Sequence, residues 1–302
     1  MKKIFAVVVN YHRPKDTVEC LQSLFKSKIN NKEFKIVLVE NESKEDDIKE
    51  FRTLFSNLQV IENKQNTGFA KGNNIGIRYS LEHSADYIVL VNNDALVENN
   101  AISRLIEVFE RNSNVGIVGP KIYFAKGFEY HKDRYNEKEL GKVIWYAGGK
   151  INWGNILGSH RGLDEVDNGQ YDIGGSTEFV TGCCMAVKKE VFEKIGLLTE
   201  EFFLYLEDLD FNIRLSNAGY KIYYEPQALV WHKNLGTNKT SNNDKQQYYY
   251  TRNRMLFGFK WATFKTKLLL IKESIGFLIY GSKFQKKGIT DFYLKRFGEA
   301  RL

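Results

Sequence analysis

"DYIVLVNNDALVE", residues 86–98, settles the class of fold. Tyr87 through Val91 form an unbroken apolar run, the pattern of a strand covered on both faces, and the run stops on Asn92, Asn93 and Asp94. Four more runs of this kind are "KIFAVVVN" (3–10), "FKIVLVE" (34–40), "LQVIEN" (58–63) and "VGIVGP" (115–120). Helical patterns lie between them: "KDTVECLQSLFKS" sets Val18, Leu21, Leu24 and Phe25 at helical spacing, and "AKGNNIGIRYSLEHS" and "ENNAISRLIEVFERN" follow suit. The alternation predicts an α/β fold, a mostly parallel central sheet flanked by helices and joined by right-handed crossovers. Ligands of such sheets collect at the carboxyl ends of the strands. Polar residues stand there: Asn10 and Tyr11, Glu40 and Asn41, then Asn92, Asn93 and Asp94. After residue 120 the chain turns Gly- and aromatic-rich, which predicts antiparallel strands, loops and a short helix. Residues 1–120 thus read as a nucleotide half and 121–257 as a substrate half of one domain.

With 302 residues and 43% hydrophobic content, the chain can bury a large core. The start, "MKKIFAVVVNYHRP", is basic and then apolar, but Asn10, His12 and Arg13 stand where a signal peptide has small residues, so a buried first strand is expected. Cys20, Cys183 and Cys184 are an odd number without metal spacing, which points to free thiols in the cytosol. The sequon at Asn238 then carries no glycosylation. The net charge of +7 is concentrated in residues 259–297, where nine Lys and Arg face Glu273 and Asp291. Residues 258–302 are therefore expected to form a basic, amphipathic helical tail. Lys272 and Glu273 interrupt its longest apolar run, so it is too short to span a bilayer, leaving a helical hairpin packed on the core or an anionic membrane surface as its place. Without a basic recognition helix or an RNP-like aromatic motif, no nucleic-acid partner is expected.

Several stretches bear on chemistry. "NTGFAKGNNIG" (66–76) opens a helix with Gly68 and Gly72 and would offer unpaired amides to an anion, yet it meets neither the dinucleotide nor the P-loop pattern. Asp94, at a strand end, can bind a hydrated divalent cation or merely serve a turn. His232, after "ALVW", can add an imidazole ligand or be structural. In "EFFLYLEDLDFNIRL" (201–215), Asp210 and Arg214 stand at i and i+4, which suffices to explain Asp210. Glu207 and Asp208 remain, either capping the helix or shifting each other toward general-base service.

Taken in order, "VVVNYHRPKDTVECLQSL", "VLVENES", "NTGFAKGNNIG", "LVNNDA", the long stretch from "TGCCMAVKK" to "LVWH", and "YYYTRNR" resemble family 2 glycosyltransferases of the GT-A fold. The likeness is to the branch of rhamnosyl- and galactofuranosyl-type enzymes of surface polysaccharides. It implies an inverting transfer of a hexose, rhamnose among them, from a UDP- or dTDP-sugar to a glycan or lipid-linked acceptor, in the cytoplasm or at the cytoplasmic face of the membrane. By that resemblance Val9, Asn10, Tyr11, Glu40, Asn66, Gly68, Lys71, Asn73, Asn92 and Asn93 would surround the nucleotide-sugar. Gly182 and Glu207 would face the transferred sugar or the acceptor, Asp208 would be the base, and Asp94 and His232 would hold Mn²⁺ or Mg²⁺. Two departures stand out: Glu40 occupies a position where the family commonly has Asp, and Asn92, Asn93 and Asp94 replace its DxD. The same parts would also suit a nucleotidyltransferase, or a sugar- or polyanion-binding protein whose transferase site has decayed.

Overall fold

The computed structural model describes residues 1–42, 44–234 and 243–300; Asn238 lies outside them. The first half alternates strand and helix: β1 (Lys3–Asn10), α1 (Pro14–Phe25), β2 (Glu33–Asn41), α2 (Glu45–Leu54), β3 (Gln59–Asn63), α3 (Gly68–Glu82), β4 (Tyr87–Asn92), β5 (Ala95–Val97), α4 (Ala101–Arg111) and β6 (Val115–Phe124). There follow β7 (Ile144–Tyr146), β8 (Gly149–Asn152), β9 (Leu157–His160), β10 (Gly175–Ser176), β11 (Cys184–Lys188), α5 (Lys189–Ile195), α6 (Glu207–Asn217) and β12 (Lys221–His232). Helices α7 (Asn243–Trp261), α8 (Phe264–Tyr280) and α9 (Lys283–Tyr293) complete the described chain.

The main sheet runs β3-β2-β1-β4-β11-β6-β12-β10, with β5 on β12 and β7 on β6. Strands β3, β2, β1 and β4 are mutually parallel, as are β6 and β12, while β11 runs antiparallel between β4 and β6. Period-two alternation gives β1 two faces. Ile4, Ala6 and Val8 join the core beneath α1 and α4, which supply Cys20, Leu21, Leu24, Ile102, Leu105 and Phe109. Phe5 and Val7 join the opposite core with Ala70 and Ile77 of α3, Val191 and Phe192 of α5, and Phe211 and Leu215 of α6. Both layers are built chiefly of apolar side chains, and the polar strand ends gather at one edge of the sheet. The central place of β1 matches the expected buried first strand, and all three cysteines are buried free thiols.

The expected boundary at 257/258 falls inside α7, which continues to Trp261 without a break. The reason is burial: Met255 and Phe257 of α7 are in the core, and Lys260 Nζ and Trp261 Nε1 both donate to Asp210 Oδ1, at 2.7 and 2.9 Å. Helix α9 packs back on α7, where Tyr248 Oη donates to Asp291 Oδ2 at 2.8 Å. The C-terminal helices thus pack on the core, one of the two places the sequence left open to them.

Candidate active site

Strand register assembles the site. Asn10 lies opposite Glu40, Val9 opposite Asn92, and His232 opposite Ala95, next to Asp94. Because β11 runs the other way, its beginning reaches the same edge: Cys184 pairs with Val91, which brings Thr181 and Gly182 there. A cleft of about 930 Å³ opens above this edge. Val9, Tyr11, Asn66, Gly68, Asn73, Asn92, Asn93, Asp94, Gly182, Glu207, Asp208 and His232 all line it.

Three expected site residues do not. Asn10 and Glu40 are fully buried beneath the floor, where Asn10 Nδ2 donates to Glu40 Oε2 at 3.0 Å. Lys71 is exposed off the cleft, because α3 turns the face carrying Gly72 and Gly76 onto β1, with Gly72 against Val9 and Gly76 against Val7. Asn93 sits at the rim but its amide donates inward, to Asn10 Oδ1 at 3.1 Å and Thr17 Oγ1 at 3.0 Å.

The start of α3 also differs from expectation. Its first amides are taken: Gly68 N–H donates to Asn66 Oδ1 (2.9 Å), and the Phe69 and Ala70 N–H groups donate to the Phe203 carbonyl (2.7 and 3.3 Å). They hold a neighbouring loop rather than an anion. Gly68 is required twice over, by its φ of +74° and because a Cβ there would lie 2.5 Å from the Phe203 oxygen. Asn41, 1% exposed, fixes the approach to the helix by donating to Asn66 Oδ1 and accepting from Thr67 N–H and Asn63 Nδ2.

At the opposite wall, Asp208 stands in the first turn of α6, where the helix dipole favours a carboxylate. Gly182 N–H donates to its Oδ2 at 2.9 Å and Leu209 N–H to its Oδ1 at 2.8 Å. Burial raises the Asp208 carboxyl above its ordinary range, and these two amide bonds work against the rise. Glu207 is 4% exposed and its Oε2 has no hydrogen-bond partner among the described residues. Burial first, and the adjacent Asp208 charge second, hold it well above the ordinary carboxylate range. Asp210 points away into the core and meets Arg214 Nε at 2.9 Å, Thr199 Oγ1 at 2.6 Å and Lys260.

Asp94 and His232 are in contact, with His232 Nε2 3.0 Å from Asp94 Oδ1. The imidazole is 5% exposed, is packed edge-on by Trp145 with ring centres 4.6 Å apart, and leaves Nδ1 without a partner among the described residues. Nearby His160 is pushed down to about 4 by burial and stays neutral against Trp145. Among the described residues no group of three or more His, Cys, Asp or Glu converges. A carboxylate plus an imidazole is a two-donor set that fits a divalent cation completed by phosphate and water oxygens.

The loop before α6 holds residues outside the expected site set. Phe203, Tyr205 and Leu206 have φ of 62°, 73° and 72°, strained for side chains other than glycine. Helix α7 clamps them. Asn253 Nδ2 reaches the carbonyls of Phe202, Leu204 and Tyr205 at 2.7–2.9 Å, and Arg252, fully buried, donates to those of Glu201 and Phe202. Tyr249 stacks on Phe203 and Tyr250 on Tyr205. The signal was "YYYTRNR" itself, where Arg252 and Asn253 closely follow three consecutive tyrosines.

Comparison with known proteins bears on the family and the fold. The chain is 27% identical over 252 residues to the low-salt glycan biosynthesis hexosyltransferase Agl10 of Haloferax volcanii, covering 83% of this chain and 73% of that one. It is 29% identical over 223 residues to the dTDP-rhamnosyl transferase RfbF of Shigella flexneri, covering 72% and 67%. Among solved structures, GalNAc-T7 with UDP, GalNAc and Mn²⁺ superposes with a TM-score of 0.63 at 15% identity, over 91% of this chain and 57% of that one. That likeness fixes the architecture as GT-A. The family model described as Glycosyl transferase family 2 matches residues 5–196, which carry every strand of the nucleotide half together with Asp94 and Gly182, and the chain belongs to that glycosyltransferase family.

Proposed function

We propose that this chain is an inverting hexosyltransferase of cell-surface polysaccharide synthesis. It moves a sugar, rhamnose foremost, from a UDP- or dTDP-sugar to a hydroxyl of a glycan or lipid-linked acceptor. One observation carries the reading: the Asp208 carboxylate is aimed by the Gly182 and Leu209 amides into the cleft that Asp94 and His232 also line. Val9, Tyr11, Asn66, Gly68 and Asn73 form the wall against which the nucleotide rests, with Asn92 and Asn93 at the strand edge beside it. Asp208 takes the proton of the acceptor hydroxyl as that oxygen bonds to the anomeric carbon and the bond to the diphosphate breaks on the opposite face, which inverts the configuration. Glu207, buried beside it, faces the acceptor. Asp94 and His232 would hold Mn²⁺ or Mg²⁺, whose charge stabilises the departing diphosphate when bound. The absence of any helix long and apolar enough to cross a membrane among the described residues, and three buried free thiols, suit a cytoplasmic enzyme.

A thermal-shift panel of UDP-, dTDP- and GDP-sugars with and without Mn²⁺ tests the donor side, since only a ligand bound by the folded state raises the melting temperature. The expected result is a shift by one UDP- or dTDP-sugar that Mn²⁺ enlarges and Asp94→Ala abolishes. No shift by any nucleotide-sugar would remove the proposal's basis. Isotope-labelled donor then separates sugar transfer from nucleotide transfer.

A further inference from the structure

Helix α8 is apolar on two sides. Its inner side is used: Leu270, 2% exposed, packs against Gly258 of α7 and near Ile156, and Ser274 Oγ lies 2.7 Å from Tyr293 Oη of α9. Its outer side carries Phe264, Leu268, Ile271, Ile275, Leu278 and Ile279, recurring at helical spacing and each between 37% and 76% exposed. Single exposed apolar residues are ordinary; a continuous stripe along 17 residues is a contact surface. By helical geometry Lys265 and Lys272 border the stripe on one side and Lys267 on the other. The one acid of the helix, Glu273, lies off the stripe, paired at 2.7 Å through both oxygens with Arg254 of α7.

We infer that the outer face of α8 is a membrane-docking surface, the helix lying in the plane of a bilayer that carries anionic headgroups. The six apolar side chains enter the acyl boundary and the bordering lysines meet the headgroup charge. Charge decides between this occupant and a second copy of the chain. Two α8 faces packed together would bring both sets of lysines to one seam with no carboxylate to receive them. Anionic headgroups supply the missing partners. The helix does not span, because no described helix is long and apolar enough. The β8–β9 hairpin links this helix to the cleft: Leu157 lines the cleft, Ile156 reaches Leu270's neighbourhood, and Trp153, 41% exposed, stacks on Phe257 with ring centres 6.2 Å apart. Docking therefore sets the cleft near the bilayer, where a lipid-linked acceptor lies; that last step rests on the proposed transferase reading, and the docking itself does not.

Vesicle co-sedimentation of the full chain tests it, with phosphatidylcholine alone and with about one third phosphatidylglycerol. The wild type is expected to sediment with the anionic vesicles only, and less so as salt rises. Ile271→Asp/Ile275→Asp, at exposed positions and checked for an unchanged melting curve, should weaken vesicle affinity by about tenfold or more. Lys265→Glu/Lys272→Glu should abolish the preference for phosphatidylglycerol. Equal vesicle binding by the Ile271→Asp/Ile275→Asp variant overturns the inference. So does a wild type that ignores both vesicles, whether monomeric or, by light scattering, a dimer which that substitution dissociates. Loss of sugar transfer in the wild type would sink the transferase reading while leaving vesicle binding intact.

Discussion

Glu207 and Asp208 are neighbours with different surroundings, and the difference is the ground for the separate roles proposed for them. Asp208 has a backbone N–H on each oxygen, which orients it and favours its ionised form, whereas Glu207 Oε2 is buried without a hydrogen-bond partner among the described residues. Since the folded-state pKa of Glu207 lies well above its ordinary 4.5, its contribution to stability is full below that value and is lost as pH rises through the raised one. Glu207→Gln should accordingly be more stable than wild type by about 1–2 kcal/mol at pH 8, a difference that vanishes near pH 4, read from denaturant melts at both pH values. The strand-end polar residues were visible in sequence as a set, but not which way each side chain points. A strand end tells which edge a residue reaches; whether Glu40 and Asn93 open on the cleft or brace its floor depends on Asn10 and Thr17, which no local pattern couples to them.

At the scale of elements, the proposed base Asp208 is placed by a strained loop held from two sides. Helix α3 holds the Phe203 carbonyl with two amides, and α7 holds three more carbonyls through the single amide of Asn253. Left-handed conformations at non-glycine residues cost about 1–3 kcal/mol each, so the loop keeps its shape only while both clamps stand. Asn253→Ala should lower kcat by about 10- to 100-fold with the donor KM little changed, because it displaces Asp208 without touching the nucleotide wall. A matching rise in donor KM would place Asn253 in donor binding instead. Gly68→Ala attacks the other clamp, driving a methyl into the Phe203 oxygen, and should reduce both stability and turnover, measured by thermal melts and initial rates. The helix over 68–82 was legible as a glycine-rich amphipathic segment, but the use of its amides was not, since their acceptor lies more than 130 residues away in the chain.

For the whole molecule, the parallel half followed from sequence because each strand-helix unit is local. The insertion of β11 between β4 and β6 did not, because antiparallel pairing with Val91 and Val118 is a long-range matter that "CCMAVK" does not encode by itself. Which of the two places left open to the C-terminal helices they take was not legible, for a related reason. Their charge was plain, yet their integration hangs on Asp210, which is fully buried in α6 beside Arg214 and ties that helix to Lys260 and Trp261 of α7. Burial alone would raise this carboxyl; the hydrogen bonds from Lys260 and Thr199 and the nearby cationic charges outweigh it and hold the carboxyl below its ordinary range. Asp210→Asn should therefore lose about 3 kcal/mol of stability at pH 7, with the loss shrinking as pH falls below the ordinary 3.8, and leave the donor KM unchanged. The central claim is that this assembled domain exists to aim Asp208 at an acceptor hydroxyl. Turnover of labelled donor by Asp208→Asn, with donor binding followed in parallel by thermal shift, tests that most directly. The account predicts transfer reduced by about a thousandfold or more with the donor-induced shift retained, and transfer at the wild-type rate would contradict it.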